Sequence, residues 1–398
     1  MSKIRLFVLF FLPLTLFTSS AIFKIYYESK KYHKSYIADL RTMEDFLSKD
    51  YVGTNTDSYH YLKNAYSIYL TLKPYDSFRW LSGYLFALFI FIFGKYCILA
   101  IIIFQAISFS IALSILLLAI KTDFKIKLFI ILWTFLIGFY TIPRILLETP
   151  TMVLILLALT FYHKNRFSAF SFFLFLASSL RFEFTLILII SSVIIFMREK
   201  RIFVLPLFLS FLSIVIFFYL HALKPSDYKG FYGGWLIGTF YRNVKGYWSE
   251  ELKGRIFQQC ENKGYECFIE HLFSEISKNK TKTFEVVIKN LFLNPLRATI
   301  FRTPVFDFES SYMKALFIVF YIISTLANFL VAVFVIISIV KFWNIHKAII
   351  ISYFLLIIIE TFYYIFGDFV LRATLYNLPF EIYLILVKFS NKNNIYYN

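Results

Sequence analysis

Apolar runs of the length needed to cross a membrane recur along almost the whole chain. A bilayer core takes about 20 residues of helix, and stretches near that length fill 5–25, 96–120, 126–142, 202–222, 313–340 and 348–366. Shorter runs cover 150–162, 167–180, 184–197 and 373–388. Of 398 residues, 59% are apolar, 52 are Phe and 16% are charged, whereas a soluble chain is about 25% charged. A soluble core cannot enclose that much Phe, Ile and Leu, because surface scales too steeply with size. An ordinary soluble enzyme, a disordered chain and a disulfide scaffold are thereby excluded. The expected fold is all-α and polytopic.

The formal net charge of +17 does not point to nucleic acid; the placement of the basic residues is a topology signal. The run 80–94 decides the parity. It is short, follows Arg79 and closes with Gly94-Lys95. If it lies in the membrane or re-enters without spanning, the short loops on one side hold Lys3/Arg5, Lys121/Lys125/Lys127, Lys164/Arg166, Arg198/Lys200/Arg201, Lys341/Lys347 and Lys388/Lys392. The short loops on the other side hold one arginine each, Arg144, Arg181 and Arg372. If the run spanned, that bias would reverse. About ten spans with both termini cytoplasmic are therefore expected.

The first run also fits a signal peptide, with Ser19-Ser20-Ala21 as a cleavage site. Its apolar core is long, so its retention as a first helix is expected. Three regions follow: an N-terminal transmembrane catalytic module over 1–222, with a first outer loop at 28–79; an outer helical domain over 223–310; and C-terminal helices with a short cytoplasmic tail over 311–398. Cys260 and Cys267 are seven apart in a polar stretch, a spacing that suits a small disulfide loop in an oxidising compartment. Cys97 lies in an apolar run and reads as a packing residue.

The chemistry-bearing residues gather in the loops opposite the basic ones. The first outer loop contains Asp57-Ser58-Tyr59-His60-Tyr61-Leu62-Lys63-Asn64-Ala65. Asp57 serves equally well as the cap of a helix starting near Ser58. Arg144 and Glu148 are four apart, so they share a face if that stretch is helical; a local ion pair of little energetic weight is the plainer reading. Arg181 stands beside Glu183, and Arg372 follows Asp368. Any one arginine could be snorkelling. Each of three turns carrying an arginine and an acid on one face looks like a lined site. Charges at the hydrocarbon boundary are costly and usually face a polar cavity, and guanidinium forms paired hydrogen bonds to phosphate. The stretch 284–297 reads as an amphipathic surface helix broken at Pro295, with Arg297 and Arg302 as weaker phosphate candidates. Gly230-Phe231-Tyr232-Gly233-Gly234 lacks the strand–turn–helix context of a nucleotide loop. Walker, HExxH, GxSxG and DxD motifs are absent from the sequence, and the six histidines are scattered. No metal site or cofactor is expected.

This layout resembles the GT-C superfamily of integral-membrane glycosyltransferases, near its dolichyl-phosphate-mannose mannosyltransferase and aminoarabinose transferase branch. The resemblance rests on the Asp57 segment with its Tyr-rich helix and on the apolar helix ending in Phe93-Gly94. It rests also on Arg144 with Glu148, on Leu180-Arg181-Phe182-Glu183, and on Arg372-Ala373-Thr374-Leu375-Tyr376-Asn377-Leu378-Pro379. The order of these short motifs is more specific than any one of them. The resemblance implies transfer of a sugar from a polyprenyl-phosphate donor to a glycan, lipid or protein acceptor on the outer face. Asp57 would be the general base, with Asp39, Glu44, Asp45 and Asp50 as rivals in the same loop. Glu148 would orient an arginine or the acceptor. Tyr59 and His60 would line the sugar pocket, and Glu183 and Tyr376 would touch substrate. Arg144, Arg181 or Arg372 would stabilise charge on the departing phosphate. A single displacement would invert the anomeric carbon. The Phe, Ile, Lys and Asn bias suits an AT-rich bacterial genome, which would place the chain in an inner membrane with its site facing the periplasm. Membrane lipid is an expected partner and nucleic acid is not. Other classes remain. An O-antigen-type polymerase or ligase would place its residues in 223–310. A transporter would need paired broken helices, which are not found. In a scaffold, the outer charges would point apart.

Overall fold

The computed structural model describes residues 2–54, 56–74, 80–139, 142–143, 145, 147–181, 183–199, 204–223, 237–247, 249–260, 264–289, 311–343, 345–363 and 377–390. For Asp57 and Glu183 the backbone alone is described. The described residues are helical and turn-forming, without a named strand.

Helix α1 (Lys3–Lys31) leads into a loop holding the short α2 (Met43–Ser48). Then come α3 (Thr56–Thr71), α4 (Trp80–Phe93), a 3-10 turn at Gly94–Tyr96 and α5 (Cys97–Ala119). They are followed by α6 (Phe124–Gly138), α7 (Glu148–His163), α8 (Phe167–Leu180), α9 (Glu183–Glu199) and α10 (Val204–Leu223). A small unit follows: α11 (Ile237–Phe240) running into a π turn, α12 (Glu250–Cys260), α13 (Gly264–Lys278) and α14 (Lys280–Ile288). The chain returns with α15 (Ser311–Phe342), α16 (Lys347–Tyr363) and α17 (Leu378–Lys388).

Three described stretches are long and apolar enough to cross a membrane: Lys3–Lys31, Leu81–Ala119 and Ile322–Phe342. Four shorter apolar helices accompany them, at Phe167–Leu180, Phe184–Met197, Leu205–Ile216 and Lys347–Ile358. Large side chains such as Phe91, Ile92, Phe211 and Leu326 are exposed along these helices. A water-facing helix would present polar groups there; a lipid-facing one keeps apolar groups on both sides.

The bundle packs around α7, which touches α5, α8 and α17. Helix α17 is buried from Leu378 through Val387. Within it Glu381 is buried and accepts a hydrogen bond from the Tyr353 hydroxyl at 3.4 Å. Helix α1 packs on α5 and α6, with Phe17 edge-on to Phe109 and Phe135, so the first run is an integral part of the core. Interhelical polar bonds recur: Trp133 Nε1 donates to Asn328 at 2.8 Å, and Ser191 meets Ser352 at 2.9 Å. Such bonds average about 0.6 kcal/mol in membrane bundles and serve to fix helix register.

We call distal the end of the bundle where α1 finishes, and proximal the end where it starts. The short apolar run 80–94 is helix α4, and its closest packing is with α3. Both ends of this α3–α4 pair are tied to the same distal loop. The Lys95 carbonyl accepts from the Ala38 amide at 2.7 Å, and the Tyr59 hydroxyl donates to the Lys49 carbonyl at 3.2 Å. Gly94 makes the corner at φ +53, a left-handed conformation that glycine adopts without a Cβ penalty. The pair therefore leaves the chain at the end where it began, and α5 sets out from the distal end.

Residues 237–289 build a separate small core from Ile237, Phe240, Tyr241, Ile256, Phe268 and Leu272. Cys260 and Cys267 form a disulfide there. The expected long amphipathic helix over 284–297 is described only as far as α14 and Lys289; Arg297, Arg302 and the glycine-rich 230–235 segment lie outside the described residues.

Candidate active site

The distal end is organised by a buried acid that the sequence reading passed over. Glu28 lies in the last turns of α1, four residues after Lys24, so the two share a helix face. The Lys24 ammonium sits 3.2 Å from one Glu28 oxygen, with both side chains at 5% exposure or less. The other oxygen accepts the Gly53 amide at 2.8 Å and lies 3.8 Å from Lys34. Lys34 also reaches Asp50 at 3.7 Å and donates to the Thr54 carbonyl at 3.3 Å. Burying a charge is tolerable only with this density of partners. The i,i+4 spacing of Lys24 and Glu28 inside an apolar run was the available signal.

Gly53 carries the connection onward. Its carbonyl accepts the Ile145 amide at 3.0 Å. Its φ is +75, and a Cβ there would stand 3.1 Å from Ile102 and 3.5 Å from the Pro143 carbonyl. One glycine thus joins α1, the segment leading to Asp57 and the loop on either side of Arg144. Four residues separate Gly53 from Asp57 and three separate Ile145 from Glu148. At 3.8 Å per Cα step, those are reaches of at most about 15 and 11 Å.

Glu148 is the first residue of α7. The expected sharing of a helix face by Arg144 and Glu148 involves a residue outside the described ones. Ile145 and Leu147, the described residues before α7, are not helical. Glu148 pairs with Arg181, the C-cap of α8, at 3.2 Å. Each charge sits at the helix end that favours it, the acid at an N-terminus and the cation at a C-terminus. Glu148 is 4% exposed in its side chain and Arg181 24%. A guanidinium has five N–H donors, so it can hold a carboxylate and a phosphate oxygen together.

Asp57 is the second residue of α3, not the cap before Ser58. A carboxylate in a first helical turn is favoured by the helix dipole. Tyr59 does not open onto an empty pocket; its hydroxyl donates to Asp50 at 3.1 Å as well as to Lys49. His60 is exposed on α3. The rival acids separate clearly. Arg41 and Lys49 grip Asp39 at 2.8 and 3.1 Å and hold its carboxyl well below the usual range. Asp45 is engaged by Thr42, the cap of α2. Asp50 keeps 61% exposure and stands beside Tyr59, so it is the nearest competitor to Asp57. Arg144, Arg372 and Tyr376 lie outside the described residues, as do the side chains of Asp57 and Glu183. Among the described residues, no group of three or more His, Cys, Asp or Glu is placed to hold a metal ion.

Comparison with family models, with characterised proteins and with solved structures finds no match to this chain.

Proposed function

We propose that the chain is a membrane glycosyltransferase of the GT-C kind, with about ten spans and both termini in the cytoplasm. It moves a sugar from a polyprenyl-phosphate donor to a glycan, lipid or protein acceptor at the distal end, which on this reading faces the periplasm of a bacterial inner membrane. The observation that carries the reading is the distal convergence. The Gly53–Ile145 bond ties the segment leading to Asp57 to the loop that precedes Glu148, and Glu148 holds Arg181.

The chemistry follows from those groups. Asp57 takes the proton of the acceptor hydroxyl as its oxygen attacks the anomeric carbon. The bond from that carbon to the phosphate oxygen breaks, its electron pair leaves with the lipid phosphate, and the anomeric carbon inverts. Charge grows on the phosphate in a setting of low dielectric, where a guanidinium aimed at it lowers the barrier most. Arg181, oriented by Glu148, takes that role, with Arg144 and Arg372 as further donors. Glu183, His60 and Tyr376 are assigned to substrate contacts. Tyr59 acts on the loop through Asp50.

Transfer from synthetic polyprenyl-phosphate sugars by purified protein in nanodiscs tests this. Loss of a positioned general base costs about 10²–10⁴-fold, so Asp57→Asn should lose at least about a hundredfold while Asp50→Asn keeps most activity. The opposite order would move the base to Asp50. Full activity in both variants, or no transfer by the wild type from any polyprenyl-linked sugar, would remove the reading.

A further inference from the structure

The proximal end holds a cavity that the transfer chemistry does not use. It is open-mouthed, about 230 Å3, and lies between α7, α8, α9 and the start of α16. Its walls are mostly apolar, from Phe167, Ile194, Ile195 and Met197, with Tyr162 and Lys347 as polar groups. Met197 is 70% exposed, so this wall reaches the outer surface of the bundle, where lipid would lie. Behind Tyr162 the structure is closed by aromatic packing. The Tyr162 ring lies 6.2 Å from both His346 and Tyr383, whose hydroxyl and ring nitrogen are 3.3 Å apart.

The mouth is basic. Lys347 lines it and is exposed. Arg166, also exposed, is bonded to the lining Phe167, and exposed Lys164 precedes it by two residues. Among the described residues, no acid lines the cavity. Phe167 and Lys347 are the first residues of α8 and α16, so the positive ends of two helix dipoles add to the same field. An occupant of this site needs an apolar body toward Ile194 and Ile195 and an anion at the mouth. A soluble anion leaves the apolar wall wet. A neutral lipid leaves the cations without a partner.

We infer that this cavity is a binding site for an anionic glycerophospholipid, its phosphate at Lys347, Arg166 and Lys164 and an acyl chain along Ile194, Ile195 and Met197. The inference does not depend on the transfer reaction at the other end.

Native mass spectrometry of the purified full chain, titrated with phosphatidylglycerol and separately with phosphatidylcholine, tests it. The wild type should retain phosphatidylglycerol in preference. A basic residue near an anionic headgroup contributes about a fivefold affinity difference, so Lys347→Gln should lower phosphatidylglycerol affinity by about that factor and leave phosphatidylcholine unchanged. Ile195→Trp, which fills the cavity, should lose both lipids. Lys30→Gln, at the distal end, should behave as the wild type. Lys347 is exposed, so its variant folds normally and remains informative if Ile195→Trp does not fold. Equal retention of the two lipids by the wild type overturns the inference, as does unchanged phosphatidylglycerol affinity in Lys347→Gln.

Discussion

Gly53 and Glu28 show how much of the distal end depends on single positions. An L-residue at φ +75 costs roughly 1–2 kcal/mol, and at Gly53 its Cβ would also crowd Ile102. Gly53→Ala should therefore lower the thermal stability of the detergent-solubilised protein and loosen the Ile145 contact. Glu28→Ala goes further, because it removes the carboxylate that stands 3.2 Å from the buried Lys24 ammonium; a loss of about 3 kcal/mol is expected. Adding Lys24→Met to Glu28→Ala should recover much of that loss, since an apolar pair needs no counter-charge. A double variant no more stable than Glu28→Ala would show that the ion pair is not what Lys24 contributes. These residues were poorly legible in the sequence. Lys24 and Glu28 fall at the end of a run that already reads as a span, and the bond from Gly53 to Glu28 joins positions 25 residues apart. The bond between Glu148 and Arg181 is equally hard to read, since it joins positions 33 residues apart.

At the scale of elements, local sequence was a better guide. The run 80–94 was expected to turn back, and α4 packs on α3 and is followed by Lys95, bonded to the same loop that α3 leaves. The spacing of Cys260 and Cys267 suited a bridge, and α12 and α13 bring them together. Helix α13 also makes a pH-sensitive contact. The His271 ring stacks on Tyr241 and shares a hydrogen bond with its hydroxyl at 3.1 Å. Burial pushes the Tyr241 hydroxyl up to about 12, so it stays protonated as the donor. Burial also lowers the His271 pKa, with Lys278 and Lys245 adding to that and Glu275 opposing it. The unfolded chain then takes up the proton first. The contribution of His271 is complete above about pH 6.5 and is lost as pH falls from there toward the folded value. Glu275 titrates lower. Burial raises its pKa, but its bonds to Lys245 and Lys278 outweigh that and hold the carboxyl below its ordinary range. Amide protection factors over α11 to α13, taken relative to the intrinsic exchange rate at each pH, should fall between pH 7.5 and 5.5 in the wild type, and His271→Gln should flatten that response. An equal response in the variant would assign it to other groups.

For the whole molecule, the order of the helices and the return of the α3–α4 pair to one end follow from hydropathy and charge placement. The packing order does not: nothing in 373–388 marks it as the helix enclosed on all sides, and Glu381 at its centre is indistinguishable in sequence from a surface acid. The assignment of the distal end to the periplasm has a chemical reporter already built in. The chain has three cysteines; Cys97 is buried, and the other two are bonded to each other. An impermeant maleimide added to intact spheroplasts should therefore leave the native protein unlabelled. After a brief exposure to an impermeant reductant it should add two labels, as a shift on a gel. If the loop faced the cytoplasm, glutathione would keep both thiols reduced, and the shift would appear only after lysis, with no reductant needed. The bridge that staples a minor helical unit thus acts as a compass for the whole chain, readable without inserting a single tag.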